Sequence, residues 1–373
     1  MIKSIYASID NSIYERTGSM NTGLDSILEI SKVSSSAGIF TSRALIKFDL
    51  DEISASRVSG DITNPKFFLN LYAVESRNIE IAYKLVAYPI SQSWTVGTGR
   101  KLEPTAENLY AKKGSSWKYR NKTFDDLTFV PARDTQWTSA SSDHAAGSTM
   151  IYNNVTGGGT WYKDYYGTQS FDYESVDIRM DVTPVINYIM SGTVPNDGLI
   201  LMHSGSQETD NIEYGIKQFF SRETNTVYQP RLEVIYDDSS FVTTGLEELT
   251  SEQGVVYLKN LKHEYSMKES PKIRVLGRDR YPTKTFSTSS NYSTIKFLPT
   301  SSYYAVKDAI TDEFIIPYNS LGTKLSCDSN GNYFKLDMKS FMPERYYKMC
   351  FQVTQSDSSV VVYDENFYFK VNR

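Results

Sequence analysis

Nucleophilic catalysis needs a base beside the nucleophile, and three histidines are available to supply one: His144, His203 and His263. His203 ends the apolar run 198–203, where it reads as a satisfied histidine at a sheet edge. His263 stands in a polar turn and His144 in a loop. Neither a Gly-x-Ser-x-Gly elbow nor a His-Glu-x-x-His helix accompanies them, so a hydrolase triad and a nitrogen- or sulfur-ligated metal are not expected. Carboxylates offer a second chemistry. Asp164, Asp172 and Glu174 lie near Trp161, Tyr162, Tyr165 and Tyr166, as acids do in a sugar-cleaving site; as loop acids they would simply be solvated. A third possibility is calcium, whose hard oxygen ligands are Asp, Asn and loop carbonyls. Asp10, Asn11 and Asp25 form one such set, and Asp328, Asn330 and Asn332 in SCDSNGNYF another. The second set reads equally as a hairpin turn in which Gly331 supplies the positive φ. Beyond a structural calcium, no cofactor is expected.

The best binding candidates are Trp117, Trp137, Trp161, Tyr162, Tyr165 and Tyr166, with Tyr119 beside them. Their faces would stack on sugar rings or fill pockets of a partner, or else build a core beneath a long loop. They fall in a region between Gly97 and Gly167 whose pattern has no period, and insertions of that length usually serve function.

The elements that must position these residues are mostly strands. Alternation and Gly, Ser, Asn and Asp punctuation predict strands over 4–9, 12–15, 26–32, 44–50, 66–74 and 81–89, then a buried strand over 198–203. In the segment 42–53, Ala44, Ile46 and Phe48 fall on one face, with Leu45, Lys47 and Asp49 on the other. The segment 219–236 reads as the last two strands of a sandwich, and its closing strand is expected to pair with 42–53. One short helix is predicted: Asp181 as N-cap, Pro184 in the first turn, an apolar stripe of Val182, Val185, Ile186, Ile189 and Met190, and a stop at Gly192.

Length and composition limit the function classes. A chain of 373 residues with 40% hydrophobic and 22% charged residues folds, and by size has two domains. Net charge is −5 with no dense Lys/Arg run, so no nucleic-acid surface is expected. The first eighteen residues lack the apolar core of a signal peptide, and no window holds the roughly 20 apolar residues of a membrane span. Cys327 and Cys350 sit in strand-like patterns, as buried free thiols or as a disulfide. The 28 tyrosines against 4 tryptophans favour contact with other subunits or with flat ligands.

Apolar patterning fades over 239–252, which places a linker between domains 1–238 and 253–373. Beyond it, strands are predicted over 254–260, 271–276, 293–298, 303–308, 314–317, 333–337, 346–354 and 365–371. That rhythm is immunoglobulin-like in architecture, without the cysteine spacing of true immunoglobulins. The fold class expected is therefore all-β: an N-terminal jelly-roll-like β-sandwich with a long insertion and one short helix, followed by an immunoglobulin-like β-sandwich.

Over residues 5–237 the chain resembles the DNRLRE family, β-sandwich modules of bacterial surface proteins related to carbohydrate-binding modules. The opening segment is matched by 11–30, with Gly18, Asn21, Gly23 and Leu28. The Arg-x-Leu-x-x-Phe-Asp-Leu run is matched by Arg43, Leu45, Phe48, Asp49 and Leu50. Trp94 and Thr95 match a weaker Trp-Thr segment, and Asp181, Val182 and Thr183 the helix start. The closing motif stands as Phe220, Ser221, Arg222, Glu223, Pro230, Arg231 and Leu232. The longer middle insertion and the second β-rich domain, with its YLKNLKHEY, RVLGRDRYP and MPERYYKM runs, look more like the version carried by tailed bacteriophages. The resemblance implies a non-enzymatic structural component of the virion, in the neck, tail or capsid surface and assembled in the host cytoplasm. Its partners would be other virion proteins and copies of itself on a symmetric platform, with no nucleic acid and no membrane. The alternatives are a module recognising host-surface glycan and a polysaccharide-degrading enzyme.

Overall fold

The structure is a computed structural model that describes residues 1–77, 82–101, 113–124, 130, 133–137, 150–151, 157–172, 177–243, 245–250, 254–282, 294–355 and 357–373. His144, Glu174 and the predicted strand residues 81 and 293 lie outside the described residues. The chain is all-β and divides into two compact units. One comprises Ile5–Val58 and Lys66–Glu233; the other comprises Met1–Ser4, Ser59–Pro65 and Val234–Arg373.

The first unit is built on β1 (Ile2–Tyr14), β2 (Ile27–Ser35), β3 (Gly38–Phe48), β4 (Lys66–Leu71), β5 (Ala73–Arg77), β6 (Tyr83–Pro89), β7 (Tyr119–Asn121), β8 (Thr135–Gln136), β9 (Met150–Ile151), β10 (Trp161–Tyr162), β11 (Gly167–Phe171), β12 (Ile178–Asp181), β13 (Leu199–His203), β14 (Gly215–Phe220) and β15 (Arg231–Ile235). Its main sheet runs β11-β6-β13-β3-β1-β15-β4-β12, with β2, β14 and β5 branching from β3. Long strands make the branch possible: β3 pairs with β2 through Gly38–Ser42, with β13 through Ala44–Ile46, and with β1 along its other edge. The closing strand β15 therefore lies beside β1, not beside β3 as expected, and the Ala7 amide donates to the Pro230 carbonyl at 3.0 Å. Leu45 is as buried as Ala44 and Ile46, so both faces of β3 are covered here and the expected alternation gives way.

Helices α1 (Asp51–Val58), α2 (Thr183–Met190) and α3 (Ser206–Thr209) are short. The sequence predicts α2 alone. Within 42–53 the strand ends at Phe48, and the Asp49 carboxylate accepts from the Asp51 amide at 3.0 Å as α1 begins. Val182 occupies the N-cap of α2, while Asp181 accepts from the Thr183 amide at 2.9 Å from one position further out. The buried stripe is Val185, Ile186 and Ile189, and Gly192 stops the helix at φ 76°.

The second unit contains β16 (Glu247–Glu248), β17 (Gly254–Lys259), β18 (Glu264–Ser266), β19 (Lys272–Asp279), β20 (Lys296–Phe297), β21 (Ser302–Asp308), β22 (Phe314–Ile316), β23 (Ser326–Asp328), β24 (Gly331–Lys335), β25 (Arg345–Thr354) and β26 (Val360–Asn372). They form a six-stranded sheet, β16-β20-β19-β24-β23 with β17 on β19, and a five-stranded sheet, β18-β26-β25-β21-β22. Tyr304, Phe334 and Phe351 pack at their core. Asp328–Gly331 closes the β23–β24 hairpin with Gly331 at φ 103°, the turn form of the DSNGN segment. Cys327 and Cys350 are free and buried, and burial pushes each thiol up to about 11.

Candidate functional site

The tryptophans converge. Trp94, Trp117, Trp137 and Trp161 share one buried cluster with Ile13, Leu45, Val86, Ile90, Ile200 and Met202 in the first unit. Trp94 donates its indole N–H to the Asp197 carbonyl at 2.8 Å, and Trp137 to the Ser116 carbonyl at 2.9 Å. These two are closed structural contacts. Trp117 and Trp161 are different: each is at most 3% exposed, yet among the described residues neither indole N–H has a partner.

Both rings meet Arg43, from the centre of β3. Its guanidinium carbon lies 4.7 Å from the Trp117 ring centroid and 5.1 Å from that of Trp161. Both distances are within the range of a cation–π contact, and the side chain is buried, so little water screens either one. The guanidinium edge is also engaged: Nε and Nη2 reach Glu208 Oε1 of α3 at 2.9 and 2.7 Å, and Nη1 donates to the Gly158 carbonyl. Three consecutive glycines explain how that carbonyl comes so close. Gly157, Gly158 and Gly159 all have positive φ, and a Cβ at Gly157 would lie 2.2 Å from the Trp117 carbonyl oxygen. The Gly158 amide donates to that same Trp117 carbonyl at 2.6 Å.

A cleft of about 620 Å³ opens over this arrangement. Trp117, Trp161, Tyr88, Met202 and Ile39 give its apolar walls; Arg43, Lys32, Glu15, Glu208, Asp210 and His203 give its polar ones. Lys32 is paired with Asp210 at 2.6 Å and also donates to the carbonyls of Gln207 and Asp210. Burial opposes the charge on Asp210, but the Lys32 ammonium, the Ile212 amide and the Tyr214 hydroxyl outweigh it and hold the carboxyl below its usual range. Glu15 accepts from the Thr41 amide and hydroxyl at 3.0 and 3.3 Å.

His203 lies at the back of the cleft. It is not the edge histidine that the sequence suggests, because β13 runs between β3 and β6 and the residue is 1% exposed. Its Nε2 is 3.0 Å from Lys217 Nζ, and Nδ1 has no partner among the described residues. Burial, reinforced by Lys217 and Lys32, holds the imidazole well below its ordinary value, so it is neutral at pH 7. Lys217 is fully buried, donates to the Tyr214 carbonyl and stands 4.1 Å over the Tyr83 ring; burial lowers it to about 7.

Other residues singled out by type are spread over different surroundings. Tyr162 is buried, whereas Tyr165 and Tyr166 are 41% and 51% exposed. Tyr165 stacks on Tyr188 at 3.9 Å, and Tyr166 tilts against Tyr88 at 5.9 Å, so only Tyr166 borders a wall of the cleft. Asp164 and Asp172 are exposed, and neither is among the acids of the cleft. Asp10 and Asn11 lie within β1 and not in a loop. Asn11 is used up by Ser115 and Thr22, and Asp10 accepts from the Arg222 amide at 2.6 Å. Burial pushes the Asp10 carboxyl up to about 7. Asp328 is taken by Arg274 and Lys272, and Asn332 accepts from the Leu298 amide at 2.6 Å. Among the described residues no group of three or more His, Cys, Asp or Glu is placed to hold a metal ion, and no helix is long and apolar enough to cross a membrane.

Arg43, Glu208, Lys32, Asp210, Glu15 and Tyr88 were not singled out by residue type. One signal was present: Arg43 is a full charge inside a strand whose following residues, Ala44, Leu45 and Ile46, are apolar. A buried charge must find a partner, and the partner came from 165 positions away. Compared with known proteins, the chain matches no family model and no curated protein.

Proposed function

We propose that the protein is a non-enzymatic structural component of a bacteriophage virion, placed at the neck, tail or capsid surface and acting by docking to other virion proteins. One observation carries this. On the five-stranded sheet of the second unit, Phe314, Tyr346, Val360, Val362 and Tyr368 point to the face opposite the core and are 41% to 56% exposed. Paired charges are interleaved with them: Lys348 with Asp364 at 2.8 Å, Lys370 with Glu344 at 2.6 Å and Lys307 with Asp312 at 3.0 Å. Apolar and aromatic side chains held into solvent by a sheet, within a polar surround, have the make-up of a protein–protein interface. The resemblance to phage DNRLRE proteins supplies the kind of assembly in which such a face would be covered. Mass spectrometry and cryo-microscopy of purified particles test it: the chain should be present at an integral stoichiometry. Presence in infected-cell lysate with absence from particles would reject it.

A second reading is favoured by the cleft of the first unit, which joins aromatic walls to polar groups. This is the composition of a saccharide site, and it supports recognition of host-surface glycan by the same virion component.

A further inference from the structure

We infer that residues 206–213 form a hinged strap whose Glu208 and Asp210 occupy, in cis, an anion site made by Arg43 and Lys32, and that the outside ligand of this site is an acidic segment of a partner protein; the inference rests on neither reading above. The strap, SQETDNIE, links β13 to β14 and contains α3. Ile212 is its one apolar residue, and none of its residues is buried. Its main chain bonds within the link itself: the amides of Gln207, Glu208 and Asp210 donate to the carbonyls of Ser204, Gly205 and Ser206. A glycine stands at each end, Gly205 at φ 54° and Gly215 at φ 70°, and a Cβ at Gly205 would meet nothing within 4 Å. Neither position restricts rotation as a residue with a side chain would. A segment without buried apolar side chains, pivoted at both ends, opens more readily than the sheet beside it unfolds.

Side-chain ties hold the strap down. Arg43 reaches Glu208 at 2.9 and 2.7 Å, and Lys32 reaches Asp210 at 2.6 Å and the Gln207 carbonyl at 2.8 Å. Ser34 donates to Glu213 at 2.7 Å, the Tyr214 hydroxyl to Asp210 at 2.9 Å, and the Lys84 amide to Gln207 Oε1 at 2.7 Å. The two cations come from the paired strands β3 and β2 and are 3% and 2% exposed. Each meets a carboxylate of the strap, while Glu15, the third acid of the cleft, is engaged by Thr41. Desolvation offsets much of the attraction in such buried pairs, and an opened strap returns both partners of each pair to water together. Glu208, Thr209, Asp210 and Asn211 form one wall of the cleft, so opening exposes two cations next to the rings of Trp117 and Trp161. Carboxylates are the groups these cations hold already, with Thr209 between the two, and an acidic peptide of the same spacing makes the same charge-assisted bonds. The tethered acids act at an effective concentration on the order of millimolar, so the closed chain blocks its own site.

The probe is the peptide of residues 204–214, SGSQETDNIEY, titrated by calorimetry into the full chain. In Glu208→Gln/Asp210→Asn the strap keeps its shape and loses the two charges. In Gln207→Ser/Glu208→Ser/Asp210→Ser/Glu213→Ser it loses its ties as well, so that water reaches Arg43 and Lys32; circular dichroism checks the folding of each. A folded variant should bind the peptide at least about tenfold more tightly than the unaltered chain, and a peptide with Gln for Glu208 and Asn for Asp210 should bind at least about tenfold more weakly. Equal binding by variant and unaltered chain would overturn the self-block. Indifference to the charges of the peptide, or no binding by a folded variant, would overturn the anion site. The hinge is read in the unaltered chain by hydrogen exchange: the Lys84 amide, whose partner is Gln207 of the strap, should exchange at least about 100-fold faster than the Val86 amide of the same strand. Protection of Lys84 equal to that of Val86 would overturn the strap itself.

Discussion

The two units handle their surplus side chains in opposite ways. In the first, aromatic rings are turned inward around an arginine, and the surface they leave is concave, with apolar and polar walls. In the second, aromatic and β-branched residues of the five-stranded sheet are turned outward, and the surface is a strand face edged with ion pairs. A buried charge makes its neighbours interdependent, because removing one partner leaves another exposed to an apolar interior. A surface charge pair does not, since water replaces whichever partner is lost. Substitutions in the cleft should therefore act on folding and binding together, and those on the sheet face on association alone.

The largest effect is expected at Arg43. Arg43→Met should cost about 3–5 kcal/mol in urea unfolding, because Glu208 and the Gly158 carbonyl lose their partner inside the fold. The double variant Arg43→Met/Glu208→Leu should recover part of that loss; a fully additive double would break the idea of a coupled pair.

Next comes Asp10. Its carboxyl is raised by burial from 3.8 to about 7, so between those values the folded state holds a proton that the unfolded state has released. Stability is therefore fully present below about pH 4 for this group and declines as pH rises towards 7. Asp10→Asn should flatten that slope and stabilise the protein by about 2 kcal/mol at pH 8, allowing for relaxation around the buried group. A slope that is unchanged in the variant would refute the assignment.

Asp328 provides a milder contrast in the second unit. Arg274 hydrogen-bonds it and holds the carboxyl well below its usual range, with Lys272 assisting. The group thus contributes stability above the unfolded carboxylate range that is lost as pH falls through the folded value. The side chain is 31% exposed, so Asp328→Asn should cost only about 1 kcal/mol at pH 7. Smallest on folding is Val362→Lys on the exposed sheet face, within about 0.5 kcal/mol of wild type by urea unfolding. The same variant should be absent or depleted in assembled particles, and normal incorporation would remove that face from the interface.

Much of the strand pattern was legible because alternation and turn residues are local signals: 303–308, 346–354 and 198–203 fall within a residue or two of β21, β25 and β13. Pairing was less so. The expectation that the closing strand meets 42–53 failed because β1 intervenes, and nothing in either segment encodes that exclusion. The short helix α1 was missed since its acidic start, Asp51 and Glu52, follows directly on a strand and its only buried residue is Ile53. In the cleft, residue type pointed to Trp117 and Trp161, but the groups that give them chemistry come from Glu15 just after β1, from β2, β3 and β6, and from the 203–211 segment. Lys32 looks like an ordinary solvent-facing charge until folding brings Asp210 against it, and the apolar neighbours that mark Arg43 do not say that Glu208 is its partner.

The hairpin of β25 and β26 carries one more consequence. Between Met349 and Phe351 the register slips, so that Asp364, Glu365 and Asn366 bulge opposite a single residue, with Asn366 at φ 59°. β18 meets β26 at its far end, Lys370–Asn372, and among the described residues no other strand pairs with that edge at the Val360 end. An open border beginning with three consecutive valines, Val360–Val362, would template fibrils; a kink that carries Asp364, held by Lys348, and the acid Glu365 stops a foreign strand from zipping along it. Straightening that kink, for instance by deleting Glu365 and Asn366, should convert a soluble border into an aggregating one.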